Sequence, residues 1–105
     1  MKNQIRIVLD GRALLEKAAG HEYLAERFAF PEYYGKNLDA LWDLLSERDN
    51  LDIYLTYSHQ VDKGEFEGLI ELFEDYANEH ERASFHRFPG EPPKAEEELS
   101  LLRLI

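Results

Sequence analysis

Asp39 and Asp43, four residues apart, with Glu47 a further four along, are the side chains of this sequence best placed to do chemistry. At 100° per residue, three positions at that spacing fall in one column on a helix. Such a column suits three tasks: holding a hard metal ion, acid/base catalysis, or presenting negative charge to a cationic partner. The first two need more ligands or a base, and no His or further Asp stands at neighbouring helical spacing. His21, His59, His80 and His86 are scattered through other segments, where an isolated His is a surface or packing residue. No enzyme, metal site or cofactor is therefore expected. Each acid also has an ordinary explanation. Asp39 sits in the first turn, where the helix dipole favours negative charge. Asp43 lies beyond that turn and meets like charges at i±4, a repulsion of roughly a few tenths of a kcal/mol, so stability alone would place Lys there.

The column needs a rigid element behind it, and the sequence supplies one. Asn37 is a good N-cap, and Leu38, Leu41, Trp42 and Leu45 then recur at i, i+3, i+4 and i+7, an apolar stripe on the side away from the acids. Just before the cap stand Tyr33, Tyr34 and Gly35. Two aromatics in a loop are either a core plug or a contact pad; Tyr34 is expected to be buried and Tyr33 to be exposed beside the acidic helix, where aromatics anchor protein interfaces. A later segment, about Glu65 to Asn78, turns Phe66, Leu69, Ile70, Phe73 and Ala77 inward and Glu67, Glu71, Glu74 and Asp75 outward. It reads as a second acidic helix, or simply a solvated one.

The remaining segments define the frame. Gln4 to Asp10 reads as a strand ending in an Asp10-Gly11 turn. Ala13 to Phe28 is helical in composition but divided by Gly20, so the better helix is about Ala19 to Phe28, with Leu24 and Phe28 inward and Pro31 as its stop. Leu51 to Tyr57 alternates Leu51, Ile53, Leu55 and Tyr57 on one face, and Ala83 to Phe88 reads as a short closing strand. Strands separated by helices imply an α/β domain with a small three-stranded parallel sheet. The breaker cluster Pro89-Gly90-Glu91-Pro92-Pro93 separates a domain at 1–88 from a short C-terminal extension at 89–105, acidic and then Leu-rich, with no single narrow apolar stripe.

Bulk composition narrows the partner. The sequence has 105 residues, no cysteine and a net charge of −10. Residues 31–52 carry six acids against two bases and residues 62–82 eight against two, so the charge is concentrated in the two acidic segments. That pattern disfavours nucleic acid, which needs clustered Lys and Arg, and favours a basic protein. A domain acidic only for solubility is the plain alternative. The lack of cysteine fits a reducing compartment, and no apolar run approaches membrane-span length, so a cytoplasmic protein without membrane contact is expected.

The run Pro-Glu-Tyr-Tyr-Gly-x-Asn-Leu-Asp-Ala-Leu-Trp-Asp, from Pro31 to Asp43, resembles the barstar family of intracellular inhibitors of the ribonuclease barnase. The likeness extends more weakly from Asp10-Gly11 through the strand at Leu51 to Tyr57 and on to about Phe88. The resemblance implies a three-stranded parallel sheet with helices packed on it and reversible inhibition of a small basic ribonuclease of barnase type. It further implies that the helix from Leu38 enters the nuclease active site, with Asp43 in the place of a substrate phosphate and Asp39 as its companion. By position, Tyr33 and Trp42 would be aromatic contacts, Asn37 a polar contact near the cap, and Asp75 an acidic contact. The chain departs from the pattern at Glu47-Arg48, where a Gly-Trp pair occurs, and at Asp75, where the family acid is Glu. A cleft that binds a phosphodiester with Arg, Lys and His is a receptor for carboxylates, and complementary charge speeds encounter, barnase with its inhibitor being a standard case. The competing reading is an acidic nucleic-acid mimic that binds a DNA-processing enzyme or a regulator.

Overall fold

The computed structural model describes residues 4–91. In chain order the elements are β1 (Ile5–Asp10), a 3-10 turn (Gly11–Ala13), α1 (Lys17–Phe28), α2 (Leu38–Ser46), β2 (Leu51–Thr56), α3 (Ser58–Lys63), α4 (Leu69–Glu79) and β3 (Ser84–Arg87). The sheet has the order β1-β2-β3, and both pairings are parallel, with Ile5 beside Leu51 and Ile53 beside Phe85. This is the expected α/β architecture. Both crossovers step the same way across the sheet, so right-handed connections put their helices on one face.

On that face Leu9, Ile53 and Leu55 join Leu24, Leu41 and Phe73 in one core, all fully buried. Each such side chain contributes roughly 1.5–3 kcal/mol on burial. β2 corrects the one-faced strand expected from its alternation. All six of its residues are buried: β2 is the central strand, and on the face away from the helices Asp52 lies among Arg6, Ser84 and His86 while Tyr54 stacks with His86 and Phe88. Tyr57 is not its last residue; it adopts φ +53° and leads into α3.

α1 runs from Lys17, and Gly20 lies within it rather than dividing it. A Cβ on Gly20 would stand 2.5 Å from the Phe66 ring, so the glycine serves packing between segments. The helix stops before Pro31: Ala29 turns left-handed at φ +55° and its N–H bonds back to the carbonyls of Ala25 and Glu26. α4 starts at Leu69, later than the periodicity suggests. Gly68 enters it at φ +84°, leaving Phe66 buried and Glu67 exposed in the turn before it.

The 3-10 turn, capped by Asp10, stands where the Asp10-Gly11 turn was expected, whereas α3 had no counterpart in the sequence reading. α3 is six residues long, too short for a periodic signal, and its opening N–H groups are satisfied from far along the chain. The carbonyls of Phe88, Pro89 and Gly90 accept hydrogen bonds from Ser58, His59 and Tyr57 at 3.0, 3.1 and 2.9 Å. The chain is thus bonded to the domain through Gly90. The Leu-rich residues from Leu99 onward, assigned to the extension, lie outside the described residues. No helix among the described residues is long and apolar enough to cross a membrane.

Candidate functional site

α2 is fixed at both ends and along its inner side. At its start the Asn37 Oδ1 accepts a hydrogen bond from the Ala40 N–H at 2.8 Å, while Nδ2 donates to the Gly35 carbonyl at 3.3 Å. The expected cap is therefore in place, and Lys36, at φ +55°, makes the turn into it. Leu41, Leu44 and Leu45 are buried beneath the helix, whereas Leu38 and Trp42 are only partly covered. The inner stripe is thus centred on the leucines, and Leu44 lies deeper than Trp42. Beyond the helix, Arg48 donates to the Phe28 carbonyl at 2.6 Å, and the Tyr76 hydroxyl bonds the Arg48 carbonyl. These contacts hold the far end of α2 against α1 and α4.

The loop before α2 divides its two tyrosines as expected. Tyr34 is buried, with its ring 4.8 Å from that of Phe30 and its hydroxyl 2.5 Å from Nδ1 of buried His21. Burial pushes the Tyr34 phenol up to about 12. Burial, with help from Lys17, lowers the His21 pKa, so a neutral imidazole accepts the phenol proton's hydrogen bond. Tyr33 points the other way and is 78% exposed. Nothing near Tyr34 in sequence announces His21 as its support, because that contact joins α1 to the loop.

Asp39 and Asp43 are exposed on the outer side of α2, and among the described residues neither takes part in an ion pair. A cleft of about 250 Å³ lies between the loop and the helix, lined by Tyr33, Gly35, Ala40, Asp43, Leu44 and Glu47. Tyr33 and Asp43 are thereby brought together. Glu47, the third acid of the expected column, lines the same cleft, although the contacts implied by the family resemblance did not include it. Asp75 is exposed on α4 and borders a separate cleft of about 360 Å³ with Glu74, Ala77, Asn78, Phe85 and Arg87. α2 packs on α4, yet Asp75 and Asp43 do not share one concavity.

An aromatic beside unneutralised carboxylates, on a helix braced by buried leucines, is suited to receive a cationic surface with little rearrangement. Among the described residues no group of three or more His, Cys, Asp or Glu side chains is arranged to hold a metal ion.

YrdF of Bacillus subtilis (strain 168), named as a candidate ribonuclease inhibitor, is 46% identical over 41 residues, which are 39% of this chain and 45% of YrdF. The match thus covers less than half of that relative's length. A protein-family profile described as Barstar (barnase inhibitor) matches residues 5–89, from the first residue of β1 to just past β3. The chain belongs to the barstar family.

Proposed function

We propose that the protein inhibits a small basic ribonuclease of barnase type by seating α2 in the enzyme's RNA-binding cleft. One observation carries the reading: Asp39 and Asp43 stand exposed and without ion pairs among the described residues, on a helix capped by Asn37 and anchored by Leu41, Leu44 and Leu45. Free carboxylates of this kind meet the Arg, Lys and His side chains that a nuclease needs for its phosphodiester substrate. In this reading Asp43 takes the place of a phosphate and Asp39 is its companion. Tyr33 offers an exposed ring, Trp42 its uncovered edge, Asn37 a polar contact beside its cap, and Asp75 a secondary acidic contact from α4. The protein then acts as a hydrolase inhibitor inside the cell, as an immunity protein does.

The test is to mix the protein at equimolar micromolar concentration with a barnase-like nuclease and follow RNA cleavage. Inhibition is expected, and full remaining activity would remove that target. A pull-down from the native lysate identifies the natural one. A small basic nuclease supports the proposal, whereas a DNA-binding protein would move the reading to a nucleic-acid mimic.

A further inference from the structure

The starts of α1 and α2 border a further cleft of about 360 Å³, to which the first helix contributes Lys17 and Ala18 and the second Lys36, Asn37 and Leu38. It shares no lining residue with the cleft of Tyr33 and Asp43. The start of a helix carries partial positive charge on N–H groups that lack intrahelical acceptors. At α1 that charge is left bare, since Glu16 makes no side-chain cap bond and the first turn contains no acid. Two ammonium groups stand beside it. Lys17 has no ion pair among the described residues, and Lys36 lies 3.7 Å from exposed Glu22. Glu67 is the one acid in the lining.

Positive charge at helix starts is common, and a buried donor gives this cleft its chemistry. His21, 4% exposed, lines it, with the Phe66 ring packed at 4.7 Å between centroids. The Tyr34 hydroxyl, whose pKa burial pushes up to about 12, keeps its proton and donates it to Nδ1 of His21 at 2.5 Å. A neutral imidazole that accepts at Nδ1 carries its own proton on Nε2. Among the described residues that Nε2–H has no acceptor. Nor is it sealed in the core, because Ser46 Oγ is the one sealed side-chain polar atom without a partner among those residues. The Nε2–H therefore opens to the cleft, and donors buried to this degree are normally matched by an acceptor.

The geometry points to a binding site for a small phosphate monoester: its phosphate accepts the His21 Nε2–H and faces Lys17 and Lys36, while its apolar body lies against Leu38 and Phe66. A dianion with three free oxygens suits two ammonium groups, an uncapped helix start and a fixed imidazole donor. The apolar walls and the volume exclude a bare ion as the best occupant, since about 360 Å³ is far more than the roughly 30 Å³ share of one water and falls within the range of small-molecule pockets. Binding here does not depend on the ribonuclease reading, because the outer side of α2 takes no part in it.

The test titrates phenyl phosphate into the isotope-labelled full chain at fixed ionic strength and follows amide and imidazole nitrogen resonances by NMR. Saturable shifts are expected at Nε2 of His21 and at the amides of Lys17, Ala18 and Leu38, while the amide of Val8 stays in place. Inorganic phosphate should bind more weakly, and benzyl alcohol should leave these resonances unmoved. Lys17→Gln, at an exposed position, should raise the dissociation constant about two- to fivefold with an unchanged urea midpoint. Shifts that grow linearly without saturation overturn the proposal. Equal affinity for inorganic phosphate or for benzyl alcohol overturns it as well, as does a dissociation constant unchanged when Lys17→Gln and Lys36→Gln are combined.

Discussion

α2 and α4 are both amphipathic, both acidic on the outside and packed against each other, yet their acids meet different surroundings. On α4, the Glu74 carboxylate lies 3.6 Å from Arg87, which also reaches Asp62 at 3.3 Å, so positive charge from β3 is already present beside it. On α2, Asp39 and Asp43 have no such neighbour among the described residues, and an exposed tyrosine stands beside them instead. The difference shows that a count of carboxylates does not define a binding surface. What matters is whether the fold brings its own cations to them.

Substitutions on the two helices test this contrast. The largest effect is expected from Asp43→Ala, which should weaken binding to the nuclease by about 2–5 kcal/mol, the usual range when one partner of a desolvated charge pair is removed. Titration calorimetry measures it, and a loss no larger than that from Asp75→Ala would erase the distinction between the helices. Tyr33→Ala should cost about 2 kcal/mol of affinity as a central aromatic anchor, with an unchanged urea midpoint because the ring is exposed. Asn37→Ala should lower unfolding stability by about 1 kcal/mol through loss of the cap, read from urea denaturation. Asp75→Ala should change affinity by less than about 1 kcal/mol, as expected for a rim charge, and mainly slow association at low salt.

Acid pH offers a further way to separate the two regions. The folded pKa of His21 lies below its ordinary 6.5, so as pH falls the unfolded chain binds this proton first. The stability that neutral His21 supplies is present above 6.5 and is lost as pH drops towards the folded pKa. Urea midpoints should therefore fall between neutral and mildly acidic pH, and His21→Gln should flatten that part of the decline. Because His21 supports Tyr34, amide exchange in the loop before α2 should rise in acid before that in α4.

Much of the frame was legible because it rests on local chemistry. Asn37 followed by Leu38, Leu41 and Leu45 defines a capped amphipathic helix, and the β-branched and aliphatic strands separated by helices define a parallel sheet. The opposed exposure of Tyr33 and Tyr34 also followed from the sequence. Features that depend on distant partners did not. Gly20 looked like a helix breaker because its partner, Phe66, lies in another segment. Tyr57 looked like a strand residue because the carbonyls that fix its turn come from residues 88–90. The burial of Asp52 is legible only once Arg6, Ser84 and His86 gather around it, at 3.1, 2.6 and 3.1 Å.

The bonds from Tyr57, Ser58 and His59 to the carbonyls of residues 88–90 bear on how the molecule is made. A chain synthesised from its N-terminus displays Asp39 and Asp43 well before those carbonyls exist, and β2 waits equally for β3. Non-local parallel pairing is slow to form because loop closure precedes the contacts that compensate it. The acidic helix therefore gains its own anchors on Phe28 and Tyr76 first, and the seam that fixes the start of α3 closes only after Gly90 has left the ribosome.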